Sequence, residues 1–162
     1  MQVSVTNGGT KELLESGIVY PSFLVLSNLV RTPTLFICPQ DDRKRAVAST
    51  FEQTAPVGGY ARRRIPLTND FSVSYFVGLD AEEILRPSAL LSGDDNLLIN
   101  GNAANSGLLL LRTNVEVLWS RKRHKQRGNF LFADGSVAVL TNPAIQSALI
   151  KTGMATNRLA LP

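Results

Sequence analysis

The chain holds one histidine, His124, and ten residues beyond it an Asp-Gly pair, Asp134-Gly135. A histidine and an aspartate could form two parts of an acid–base relay, so this is the first place to look for chemistry. The surroundings argue against it. His124 sits inside a basic run, Arg121-Lys122-Arg123-His124-Lys125-Gln126-Arg127, whose cations compete for any orienting carboxylate. No Gly-x-Ser-x-Gly elbow, phosphate loop or dinucleotide-binding glycine turn is present. The single cysteine, Cys38, lies in Leu35-Phe36-Ile37-Cys38-Pro39 with no second Cys or His nearby in sequence. It reads as a small buried hydrophobe rather than a reactive thiol, and it rules out an intrachain disulfide. Carboxylates pair at Asp41-Asp42, Glu82-Glu83 and Asp94-Asp95. Adjacent strand residues point to opposite faces, so these pairs read as solvated loop charges. The expectation is a protein that is not an enzyme.

Two binding chemistries remain. Asp94, Asp95 and Asn96, with carbonyls of the following loop, could offer oxygens to calcium. The spacing lacks the alternating ligands of an EF-hand, and Asp94 reads more simply as a turn cap or an acceptor of backbone donors. No cofactor is expected. The net charge of +4 is concentrated in Arg62, Arg63 and Arg64 and in Arg121, Lys122, Arg123, Lys125 and Arg127. Such runs are solvated loops or grips for phosphate and other anions. No aromatic residues interleave them, so base stacking is not supported and nucleic acid is not the expected partner.

The elements that must position these residues read as one α+β domain over 1–162. Apolar residues make up 44% and charged residues 19% of the chain, which excludes wholesale disorder. The longest apolar runs, such as Leu108 to Leu111, fall far short of the roughly 20 residues that span a bilayer, and a soluble chain is expected. Helical spacing predicts a short helix over Pro21 to Arg31, ended by Thr32-Pro33. Leu35 to Cys38 reads as a strand. Residues 40–69 read as a mobile surface excursion with a helical turn near Ala46 to Phe51. Phe71 to Val77 alternates as a strand, with a helical turn at Ala81 to Leu85 after it. Short strands are expected at Ala89 to Leu91, Asn96 to Ile99 and Val115 to Trp119, with Asn100-Gly101-Asn102 as a turn. The clearest local signal is Asp134-Gly135 between the apolar segments 129–133 and 136–140. It predicts a type I′ hairpin lying inside the sheet. Asn142 and Pro143 open a last helix with Ile145, Leu149 and Ile150 buried, ended by Gly153. The strands predict an antiparallel sheet with helices from both chain ends on one of its faces.

Four short blocks in order resemble a known group. Ser27-Asn28, Pro33 and Ile37-Cys38-Pro39-Gln40-Asp41 form the first. Val73-Ser74-Tyr75-Phe76-Val77-Gly78-Leu79-Asp80-Ala81-Glu82 and Leu91-Ser92-Gly93-Asp94-Asp95-Asn96-Leu97 are the second and third. His124, nine residues and Asp134-Gly135, with Gly128 and Asn129 between, complete the set. Together they resemble the prepilin-type proteins with a His-x9-Asp-Gly motif found in planctomycete and verrucomicrobial bacteria. The resemblance implies the soluble head of a pseudopilin, without the apolar N-terminal helix that such proteins carry. Its implied role is structural, in a type II secretion-like or type IV pilus-like assembly on the periplasmic side of the cytoplasmic membrane. Its implied partners are like subunits and secretion machinery. The anchor helix or a neighbour would dock near Phe23, Leu26 and the N-terminus. His124 and Asp134 would then be structural, with His124 anchoring its loop to the hairpin. The alternative is an anion- or nucleic-acid-binding module using the basic loops 61–64 and 121–127.

Overall fold

The structure, a computed structural model, describes residues 3–43, 47–53 and 64–162. Arg62, Arg63 and Ala46 lie outside the described residues; residues 47–51, where a helical turn is expected, form none, and Thr50 makes an isolated bridge with Pro66. The architecture is α+β, as the sequence predicts. Strands β1 (Tyr75–Gly78), β2 (Leu90–Asp94), β5 (Gly107–Arg112), β7 (Arg127–Phe132), β8 (Val137–Thr141) and β9 (Thr156–Leu161) form a six-stranded sheet, in the order β5-β9-β1-β2-β7-β8. Strands β3 (Leu97–Ile99), β4 (Asn102–Ala103) and β6 (Val117–Trp119) form a smaller sheet, in the order β4-β3-β6. All the named strand pairings are antiparallel. Helices α1 (Lys11–Glu15) and α2 (Tyr20–Leu24) come early, and α3 (Asn142–Lys151) is the longest. Among the described residues no helix is long and apolar enough to cross a membrane.

The large sheet has a core on each side. Phe76, Phe130, Leu159 and Leu161 face one core, with Trp119 from the small sheet and Ile145, Ala148 and Leu149 from α3. Their strand neighbours Val77 and Ala160 face the other, with Leu14, Val19, Phe23 and Phe36 from the N-terminal segments. Successive strand residues point to opposite faces, so the two groups of helices cover opposite faces rather than one. The expected docking residues are thereby accounted for differently: Phe23 is buried core, and Leu26 packs against the same cluster.

Several local expectations change. Leu35 to Cys38 is not a strand: Pro33–Phe36 is a 3-10 turn, entered through Thr32, whose hydroxyl accepts the Thr34 N–H. The expected helix over Pro21 to Arg31 divides into α2 and a 3-10 turn, Val25–Asn28. Phe71 is exposed in a 3-10 turn and Ser72 and Ser74 are buried, against the expected alternation, whereas Val73 is buried as expected and the strand begins only at Tyr75. The Ala81 to Leu85 segment closes a Glu82–Arg86 bridge and forms no helix. The 40–69 excursion is tied down at its ends, since Ala48 and Leu67 are fully buried. In α3 Ile150 is exposed and Ala148 takes its place inside. Asn142 does not cap α3; its Oδ1 accepts the Trp119 N–H at 2.6 Å, fastening the small sheet to the helix start.

The Asp-Gly hairpin forms, with two corrections. Only Gly135 has positive φ (82°), and its N–H donates to Phe132 O, so the turn is type I with a glycine bulge, not type I′. Strand β8 lies at the sheet edge, with Val137 and Val139 exposed. Gly128 explains how this hairpin meets the core. A Cβ there would lie 2.5 Å from the ring of Trp119, which is itself completely buried. We expect Gly128→Ala to cost about 2 kcal/mol or more in urea unfolding, because neither strand nor ring can give way.

Candidate functional site

The buried polar centre of the molecule is built by side chains from four chain segments. Arg123, 4% exposed, pairs with Asp41 (Arg Nη2–Oδ1 2.9 Å) and donates to Asp95 Oδ1. Arg43 pairs with the same two acids. Ser74 Oγ donates to Asp41 Oδ2 at 2.7 Å. The charge pairs read in the sequence as solvated are therefore partly interior: Asp41, Asp94 and Asp95 are each 2% exposed or less at the side chain. Burial penalises ionised Asp41, but hydrogen bonds from Arg43 and Ser74 and the Arg123 charge outweigh it and hold the carboxyl at about 2. Burial raises Asp95 against the pull of Arg123 and Arg43.

His124 follows Arg123 and opens an unusual turn. His124, Lys125 and Gln126 have φ of 48°, 52° and 63°. Three successive non-glycine residues in the left-handed region cost of order 1 kcal/mol each, and such strain persists only where the surroundings impose it. Here the turn is pinned at its start by the Arg123 ion pairs and by the His124 N–H, which donates to Gln40 Oε1 at 3.0 Å. It is pinned at its end by β7. The imidazole then reaches back to the interior. Its Nε2 lies 3.1 Å from Cys38 Sγ and 3.8 Å from Asp94 Oδ1. Asp94 Oδ2 accepts from the Asn129 backbone N–H (2.7 Å) and from Asn129 Nδ2 (3.0 Å).

The relay suggested by His124 and Asp134 is not assembled. Asp134 is an exposed turn residue whose Oδ1 accepts from the Ser136 N–H and Oγ. Its carboxyl is held below the usual range, first by the Ser136 side chain and then by the Ser136 backbone. His124 anchors its loop to Gln40, Cys38 and Asp94 rather than to the hairpin. Nor do Cys38, His124 and Asp94 form a relay, since thiol and carboxylate approach the same ring nitrogen. Burial pushes the Cys38 thiol up, which disfavours the thiolate a nucleophile needs. The Cys38–His124 contact joins residues 86 apart in sequence, which local inspection could not find.

The calcium candidates separate. Asp94 turns to Asn129 and His124, Asp95 to the two arginines, and the Asn96 amide is buried without a hydrogen-bond partner among the described residues. The expected backbone-donor role of Asp94 is what the structure contains. The anion candidates also divide. Arg123 is not available, being buried against two acids. Arg64 is exposed and donates to Glu52 Oε2 at 3.0 Å. Arg121, Lys122, Lys125 and Arg127 remain exposed and line a cavity of about 370 Å3, together with Gln40, His124, Gly128 and Asn129. Comparison of the chain with family models, curated proteins and solved structures gives no match.

The folded-state value of Asp41 lies below its ordinary 3.8. Its stabilising contribution is therefore full above about pH 4 and is lost as pH falls towards 2. Asp95 has the opposite sign, so acidification returns part of the loss. The expected outcome is that the stability difference between the parent and Asp41→Asn shrinks by about 2 kcal/mol from pH 5.5 to pH 2. Parallel urea titrations measure it, and an unchanged difference contradicts the assignment.

Proposed function

We propose that the chain is the globular head of a pilin-like structural subunit that works by assembling with like subunits, without catalysis. The observation that carries this reading is spatial. The four blocks behind the family resemblance meet in one polar centre, buried at Cys38, Asp41, Ser74, Asp94 and Asp95 and reaching the surface at Gln40, His124 and Asn129. Contacts of this kind between distant segments suit a scaffold, with Gln40, His124 and Asn129 at the rim of the basic cavity.

The sheet adds a second support. Val137, Leu131, Ser92, Val77, Ala160 and Leu108 form one row across one face of it. Its middle is covered, while its two flanks carry exposed Val137 and Val139 on β8 and Leu108 and Leu110 on β5. Both strands are edges, and edges with apolar side chains favour contact with another polypeptide. In this reading the head stands on the periplasmic side of a cytoplasmic membrane, in a type II secretion-like or type IV pilus-like machine. The test is to express the full natural reading frame in its own host, fractionate the cells, and cross-link through cysteines placed at Val139 and Leu110. Membrane fractionation with cross-links to like subunits is expected. An uncross-linked cytosolic monomer sinks the proposal.

The basic cavity favours a second reading, an anion-binding module. Four exposed cations around one cavity suit phosphate or an anionic envelope polymer better than bases, because no aromatic ring lines it. Binding of a short DNA duplex should then fall steeply between 50 and 200 mM salt, with a log–log slope of about −3 to −4 if each cation meets one phosphate. No binding at low salt removes this reading.

A further inference from the structure

Cys38, Asp94 and His124 arrive from three distant segments, and their donor atoms converge. Sγ, Nε2 and a carboxylate oxygen all lie within 4.8 Å of one another. Around a tetrahedral ion with bonds of about 2.3 Å to sulfur and about 2.0–2.1 Å to nitrogen and oxygen, donor atoms sit roughly 3.3–3.6 Å apart. The observed 3.1 Å (Sγ to Nε2) and 3.8 Å (Nε2 to Oδ1) fall on either side of that spacing. A relay would place thiol and carboxylate on different ring nitrogens. Here both meet Nε2, as donors to a shared centre would.

The outer contacts point the same way. Two Asn129 donors hold Asp94 Oδ2. Oδ1 makes no hydrogen bond among the described residues and is left facing the imidazole. Carboxylate ligands are commonly oriented by hydrogen bonds to their other oxygen in this way. Charge supplies an independent argument. Arg43 and Arg123 both pair with Asp41 and Asp95, and neither forms an ion pair with Asp94. The only cation-forming side chain within ion-pair distance of buried Asp94, among the described residues, is His124. One divalent ion with the Asp94 carboxylate and the Cys38 thiolate closes that charge to zero, the thiol proton passing to solvent.

We propose that Cys38, Asp94 and His124 bind one divalent ion of the zinc class, with water in the fourth position. A sulfur, an imidazole nitrogen and one carboxylate suit zinc; calcium and magnesium take oxygen donors. The ion would tie together the segment after the first 3-10 turns, the end of β2 and the left-handed turn. The proposal stands whether or not the chain assembles as a pilin-like head.

The test uses the tag-free protein, stripped with chelator and then equilibrated with zinc or cobalt(II) and desalted. About one zinc per chain should be retained, and zinc should raise the melting temperature while calcium should not. The cobalt form should show a sulfur-to-cobalt charge-transfer band and the strong visible bands of a four-coordinate ion. Cys38→Ser should abolish the charge-transfer band, and Asn129→Ala should weaken zinc binding about tenfold. Circular dichroism checks that each variant folds. If one does not, the parent decides: no retained zinc, or a cobalt spectrum without the sulfur band, overturns the proposal. Equal zinc affinity in folded Cys38→Ser overturns it as well.

Discussion

Arg123 lies buried between Asp41 and Asp95, and Arg43 closes the same pair of acids from the other side. Burying such a network is not in itself a strong source of stability, because each ion must leave water. Its consequence is positional. Removing any one partner leaves an uncompensated interior charge, a cost of about 3–5 kcal/mol, so the segments that carry the partners cannot drift apart. Residues 41–43, the end of β2 and the loop before β7 are held in one place. The left-handed turn at 124–126 depends on this, since only a loop fixed at both ends sustains three unfavourable φ values in succession.

From that fixed point the rest of the centre follows. With Arg123 committed inward, the next residue, His124, is delivered to Cys38 and Asp94. With Asp94 committed to Asn129, strands β2 and β7 are joined by a side chain as well as by their ladder. Gly93 lies between Phe76 and Phe130 on the adjoining strands, and the two rings close over it with centroids 5.7 Å apart. A side chain at residue 93 would separate them, so the aromatic packing and the polar centre both require this glycine beside this aspartate.

The sequence makes some of this legible and hides the rest for physical reasons. Turn chemistry is local, so Asp134-Gly135 and Asn100-Gly101 mark two hairpins, although the first adopts a different turn type. The antiparallel α+β class follows from alternating segments joined by short turns. Strand β9, Thr156–Leu161, has no clean alternation because it lies inside the sheet, between β5 and β1, with Leu159 and Ala160 buried on opposite faces, and it escapes a pattern search. Strand β5, Gly107–Arg112, escapes for another reason: it is an edge strand whose exposed Leu108 and Leu110 are as apolar as the residues between them, so its hydropathy does not alternate. The polar centre was hidden most deeply. Asp41, Asp95, Arg43 and Arg123 look like surface charges one at a time, and only the fold reveals that they neutralise one another. The four short sequence blocks contain the residues of this centre, but nothing in them shows the contact between Cys38 and His124.

Strand β9 follows every other strand in the chain, yet it lies between β5 and β1, pairing with Leu108 to Arg112 on one side and with Val77 and Gly78 on the other. During synthesis, then, the sheet remains in two parts until its last strand has left the ribosome. Before that moment β1 and β5 expose unsatisfied backbone edges, and Phe76 and Leu111 lack part of their cover. A chain of this topology has a vulnerable interval between the synthesis of β5 and that of β9, when its open strand edges are most exposed to unwanted pairing.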